Sequence, residues 1–208
     1  MIYVFEKPFL LLDELYHELL NTIPSWRREQ VEHYKRMDDR KQSLLAFVLL
    51  QYALLTEYGI SEFLQFRYNE FGKPSLIEIP VHFSFSHCRD AVACVVSAHN
   101  IGVDVESISP YNPDIAKRVC TTEELAMLKI QTTPEQLFAQ YWTTKEAIAK
   151  FEGTGLSLGF SGISTEKYLI SSWTGSEKNY IGTVCYGKDS DAVMPPIVQY
   201  VVPENLIK

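Results

Sequence analysis

Tyr141-Trp142-Thr143-Thr144-Lys145-Glu146-Ala147-Ile148-Ala149-Lys150-Phe151 is the stretch on which the reading of this chain turns. It closes a helix predicted from Pro134 to about Phe151. Leu137, Phe138, Tyr141, Trp142 and Ile148 recur at helical spacing, and Gly153 and Gly155 end the pattern. Glu146 and Lys150 are four apart and share a face. Taken alone, an ordinary surface ion pair, contributing about 0.3–0.5 kcal/mol, accounts for them more readily than a reaction site does, and it is the surrounding string that points the other way. Roughly forty residues upstream, Ile101-Gly102-Val103-Asp104-Val105-Glu106 reads as an apolar strand ending in two acids. Residues two apart on a strand point to one face, so the carboxylates of Asp104 and Glu106 converge. Such a pair repels itself unless a cation joins it, and Mg²⁺ is commonly held by one or two carboxylates plus substrate phosphates. Spacing alone leaves a solvated strand end equally open.

Working outward, Val81-His82-Phe83-Ser84-Phe85 alternates as a strand and runs into Ser86-His87-Cys88. Ser86 and His87 are sequence neighbours, which suits a phosphate contact better than a nucleophile and its base. A lone histidine is more often structural. Gly72-Lys73-Pro74 lies in a turn. Ile2–Phe5 and Ala91–Ser97 are β-prone, and Leu11 to Leu20 recur at helical spacing up to Pro24. Leu44 to Tyr58 reads as a mostly buried helix stopped by Gly59. Arg27 to Lys41 is a dense charge run, and Thr121-Thr122-Glu123-Glu124 opens a helix. Tyr168–Trp173, Tyr180–Tyr186 and Ile197–Val202 are three late strands, expected to form an antiparallel meander. Strands and helices mix in both halves, residues 1–102 and 103–208, with no Gly/Ser-rich or Pro-rich linker between them. The class is α+β.

The 208 residues are 46% hydrophobic and 22% charged, enough apolar chain for a core and unlike a disordered segment. The net charge of −7 argues against sequence-independent nucleic-acid binding, which needs a basic footprint. The longest apolar run is shorter than the roughly 20 residues that span a bilayer, and the N-terminus has no signal-peptide pattern. A soluble cytoplasmic protein is expected, with no membrane and no nucleic-acid partner. Cys88, Cys94, Cys120 and Cys185 are scattered and read as reduced packing thiols.

Together these strings resemble the 4′-phosphopantetheinyl transferase superfamily, in its larger, two-lobed, surfactin-synthetase-activating type. Four signatures occur in the family's order: Phe71-Gly72-Lys73-Pro74, Phe83-Ser84-Phe85-Ser86-His87, Gly102-Val103-Asp104-Val105-Glu106, and Trp142-Thr143-Thr144-Lys145-Glu146-Ala147 continuing to Lys150. They span residues 71–156, and the layout of helices and charges extends the likeness upstream to about residue 25. The last two strings are specific together.

The resemblance implies a pseudo-dimer of two similar α+β lobes with the active site in the cleft between them. It implies transfer of the phosphopantetheine arm of coenzyme A to a serine of an apo acyl or peptidyl carrier protein, releasing adenosine 3′,5′-bisphosphate. It assigns Mg²⁺ to Asp104, Glu106 and Glu146, and proton removal from the serine to Glu146. Lys150 then stabilises developing charge. Lys73, Ser86 and His87 match positions that hold coenzyme A phosphates. Arg27 and Ser43 match those for the 3′-phosphate, with Arg40 and Lys41 beside Ser43 as substitutes. Gln30, Ser84 and Cys88 stand where the family commonly has a basic residue, Asn and Ser. The stretch from Pro110 to Met127 matches the variable region against which the carrier docks, with Lys117, Arg118, Met127 and Lys129 as candidates. A monomer is expected, since one chain builds the whole cleft. Two other classes compete: a metal-dependent phosphodiester hydrolase, and a relative that only binds coenzyme A or a carrier protein.

Overall fold

The computed structural model describes residues 1–61, 64–155, 160, 163–188 and 196–206. Leu156, where the last signature ends, lies outside the described residues. The chain runs β1 (Ile2–Glu6), α1 (Asp13–Thr22), α2 (Ser25–His33), α3 (Met37–Tyr58), β2 (Phe66–Tyr68), β3 (Pro74–Leu76), β4 (His82–His87) and β5 (Ala91–Ser97). It continues through β6 (Ile101–Ser107), α4 (Pro113–Val119), α5 (Thr122–Ile130), α6 (Pro134–Glu152), β7 (Tyr168–Thr174), β8 (Tyr180–Gly187) and β9 (Val198–Tyr200). The class is α+β, as the sequence indicates.

Two main sheets lie face to face. The first has the order β4-β5-β1-β9 and the second β6-β8-β7. Strand alternation decides what each face meets. Tyr3, Phe5, Val92, Cys94 and Val96 turn to α1 and α3, while Ile2, Val4, Ala91, Ala93 and Val95 pack on Ile101, Val103, Val105, Tyr180 and Val184 of the second sheet. Buried on both faces, β1 and β5 carry almost no polar side chains. The outer face of the second sheet is covered by α6, through Ala147, Ile148 and Phe151 against Cys185 and Ile170. Gly102, Asp104 and Glu106 lie on that α6-facing side, opposite the core-facing Val103 and Val105.

The two halves share a succession of strand, three helices and antiparallel hairpin. β1 pairs antiparallel with β5 as β6 does with β8, and β4 pairs with β5 as β7 does with β8. The additional hairpin β2–β3 interrupts the first half.

α3 begins seven residues before the apolar run, so the end of the charged stretch is helical and Lys41, Gln42 and Ser43 are buried. Gly59, at φ 68°, stops it in the left-handed conformation. The expected C-terminal meander needs correction. β7 and β8 do pair antiparallel, but β9 leaves that sheet and lies parallel to β1, with Ile2, Tyr3 and Val4 opposite Val198, Gln199 and Tyr200. The unpaired edge of β1 offers it a full ladder. The four cysteines are buried and unpaired with one another, as expected.

Candidate active site

β6 and α6 bring together the acids and the lysine singled out above. Gly102 makes this possible: a Cβ there would stand 2.0 Å from the Ala147 carbonyl oxygen, so only glycine lets the helix backbone lie this close to the strand. Asp104 is buried, at 5% exposure. Its Oδ1 accepts from Lys150 Nζ at 2.8 Å and from Ser86 Oγ at 2.6 Å. Lys150 thus reaches across to the strand rather than forming the helical pair with Glu146 that the spacing suggested. Oδ2 of Asp104 is buried with no hydrogen-bond partner among the described residues.

Glu106 and Glu146 face the same region. Burial, reinforced by the charge of Asp104, pushes Glu106 up to about 7. The same two causes raise Glu146 above the ordinary carboxylate range. Three acids against one lysine leave an uncompensated negative charge. Among the described residues no three His, Cys, Asp or Glu side chains already form a ready-made metal cage. The orphaned Asp104 oxygen and the raised acids nonetheless fit a hard cation with oxygen ligands.

Next to the acids, β4 supplies the hydroxyls. Ser84 Oγ accepts the backbone N–H of Val103 at 3.0 Å, joining the edge of the first sheet to that of the second. Ser86 is tied to Asp104, and His87 Nδ1 stands 3.0 Å from Gln42 Oε1. A cavity of about 300 Å³ is lined by Phe71, Lys73, Phe83, Ser84, Glu146 and Lys150, among others. Lys73 Nζ donates to Asn100 Oδ1 at 2.7 Å and to the Phe151 carbonyl at 2.9 Å, and burial lowers its pKa to about 8.

The charged stretch splits between two uses. Arg27 Nη2 donates to Ser43 Oγ at 2.9 Å and to the Ser43 carbonyl at 2.7 Å, while Nη1 donates to Gln30 Oε1 at 2.9 Å. Its Nε is buried and unpartnered among the described residues. Arg27 and Ser43 therefore do meet. Arg40 instead donates to the carbonyls of Tyr34 and Glu32, closing the end of α2, and Lys41 is turned to the Leu11 carbonyl and Asp13.

A family model described as the 4′-phosphopantetheinyl transferase superfamily matches residues 100–182. The 4′-phosphopantetheinyl transferase Sfp of Bacillus subtilis (strain 168) is 30% identical over 158 residues, which are 74% of this chain and 70% of the relative. The chain belongs to the 4′-phosphopantetheinyl transferase family. Two further transferases agree with this. The ffp protein of Bacillus subtilis is 30% identical over 150 residues, 70% of this chain and 67% of the relative. The gsp protein of Aneurinibacillus migulanus is 29% identical over 156 residues, 74% of this chain and 65% of the relative. The matched region of this transferase includes both β6 with its acids and the whole of α6.

Some positions in the transferase site were not legible in the sequence. Gln42 carries no motif and is found only through its contact with His87. Lys145, inside a recognised string, had no role. It is 2% exposed and donates to the Val119 carbonyl and to Glu124 Oε2, tying α6 to the capped start of α5. Thr143, also in that string, meets Thr183 of β8 at 2.7 Å, and Thr183 lies opposite Asp104 in the ladder. These anchors set the position of α6, and with it Glu146.

Proposed function

We propose that this transferase moves the 4′-phosphopantetheine arm of coenzyme A to a serine of an apo acyl or peptidyl carrier protein, in a Mg²⁺-dependent reaction that releases adenosine 3′,5′-bisphosphate. The observation that carries the reading is the meeting of Asp104, Glu106 and Glu146 with Lys150 between β6 and α6, on a chain similar to transferases of this name. The matched strand orders of the two halves support a pseudo-dimer of lobes, residues 1–102 and 103–208, with β9 crossing to the first sheet. The cleft between the lobes then holds the site, and a single chain completes it as a monomer.

In this reading the serine Oγ attacks the phosphorus that bears the pantetheine arm. The new O–P bond forms as the bond to the bridging pyrophosphate oxygen breaks, and the electron pair leaves with adenosine 3′,5′-bisphosphate. Glu146 takes the serine proton; burial and the charge of Asp104 raise its affinity for protons above that of an ordinary carboxylate, as a general base needs. Lys150, oriented by Asp104, lends its charge to the phosphate oxygens. Arg27 and Ser43 bind the 3′-phosphate, and Lys73, Ser86 and His87 the remaining phosphates. Asp104, Glu106 and Glu146 would hold the Mg²⁺, which when bound neutralises and orients the pyrophosphate. Exposed Lys117, Arg118, Met127 and Lys129 on α4 and α5 offer a basic and apolar face for an acidic carrier. No helix among the described residues is long and apolar enough to cross a membrane.

Intact-mass spectrometry of an apo carrier incubated with the protein, coenzyme A and Mg²⁺ tests the reading. A gain of one phosphopantetheine, abolished by EDTA, is expected. Cleavage of DNA or RNA in the absence of any carrier modification would favour the hydrolase instead.

A further inference from the structure

The His87 imidazole is held from the same helix that supplies Ser43. Gln42, 9% exposed, places its Oε1 3.0 Å from His87 Nδ1. An amide oxygen only accepts hydrogen bonds, so Nδ1 carries the ring proton. The neutral ring then has a lone pair at Nε2, which makes no hydrogen bond among the described residues. Such a lone pair repels a phosphate oxygen. The ring can grip an anion through Nε2 only as an imidazolium.

We propose that Gln42 is a positioning residue for His87: by accepting the Nδ1 proton it turns Nε2 to the anion site, so that coenzyme A binding draws a proton onto the ring. This rests on the reading that His87 contacts a coenzyme A phosphate. The groups around the ring set the starting state. Burial lowers the His87 pKa, and Lys150 from α6 and Arg27 from α2 lower it further, against the opposite pull of Asp39 from α3 and Asp104 from β6. At pH 7.5 the free protein therefore carries a neutral His87. An anionic phosphate arriving at Nε2 reverses that balance.

Calorimetric titration of the full chain with coenzyme A at pH 7.5, in two buffers of different ionisation enthalpy, counts the protons taken up. About one proton per coenzyme A is expected for the wild type. His87→Gln should lose this uptake. Gln42→Met frees the ring to carry its proton on Nε2 and to donate while neutral. Its uptake should fall to a small fraction, and the decline of affinity with rising pH should flatten. Gln42→Glu again accepts from Nδ1 and favours the imidazolium, so it should restore the decline and shift it to higher pH. Far-UV circular dichroism and melting curves establish that the variants are folded. If folded Gln42→Met binds more weakly at every pH but keeps the wild-type proton count, the role assigned to Gln42 is wrong. If His87→Gln leaves both affinity and proton count unchanged, His87 does not touch the phosphate, and the underlying reading falls with the proposal.

Discussion

Replacing Gly102 with alanine probes the contact on which the site is built. The new Cβ would stand 2.0 Å from the Ala147 carbonyl oxygen and 2.6 Å from the Phe151 nitrogen. Both are backbone atoms and cannot rotate away. Ordinary contact begins at 3.4 Å, so α6 must withdraw from β6 by about 1.4 Å. Overpacking costs about 1–3 kcal/mol, and a clash with helix backbone belongs at the upper end. At about 2–4 °C per kcal/mol for a chain of this size, about 3 kcal/mol lowers the melting temperature by about 6–12 °C. The same withdrawal stretches the 2.8 Å contact of Lys150 with Asp104 and carries Glu146 away from the strand. Misplacing reacting groups by about 1 Å can cost roughly 10²-fold in rate. Differential scanning calorimetry and the rate of carrier modification at saturating coenzyme A, measured well below the melting transition, give the two numbers. A melting temperature within about 2 °C of wild type together with unchanged turnover would refute the argument, because α6 would then have no need of glycine beneath it.

Three other perturbations separate the roles assigned to single side chains. Glu124→Gln removes the negative charge that compensates the buried Lys145 ammonium, and should lower stability by about 3 kcal/mol in urea denaturation; a loss under about 1 kcal/mol would make this pair no more than a surface bridge. Arg27→Met should weaken coenzyme A binding by about 10–100-fold while leaving 3′-dephospho-coenzyme A unaffected, since one charged hydrogen-bonding group is removed from the 3′-phosphate; equal losses for both ligands would move Arg27 elsewhere. Lys73 attracts phosphate only while protonated, and burial brings its pKa to about 8, so affinity should fall as pH rises through 8. Lys73→Arg stays charged and should flatten that fall, and an unchanged profile would remove Lys73 from the phosphate contacts.

The buried strands were legible because continuous burial leaves an unmistakable apolar run, as in Ala91–Ser97 and Ile2–Phe5. The start of α3 was not, because Lys41, Gln42 and Ser43 are polar residues that are buried by tertiary contacts the sequence does not show. α2 was hidden in the same charged stretch. The parallel pairing of β9 with β1 joins the two ends of the chain, and no local pattern encodes a partner so distant. At the site, period-two spacing correctly put Asp104 and Glu106 on one face. The i,i+4 rule put Glu146 and Lys150 on one face but gave Lys150 the wrong partner, since Asp104 on the neighbouring strand lies within its reach. Arg27 and Ser43 were paired by resemblance, whereas the turning of Arg40 to the end of α2 depends on where that helix stops.

The most direct test compares wild type with Glu146→Ala in parallel, measuring coenzyme A binding by calorimetry and carrier modification by intact mass. The account predicts that the variant binds coenzyme A with affinity close to wild type yet adds no phosphopantetheine to an apo carrier that the wild type converts. Conversion of that carrier by Glu146→Ala at the wild-type rate would contradict it.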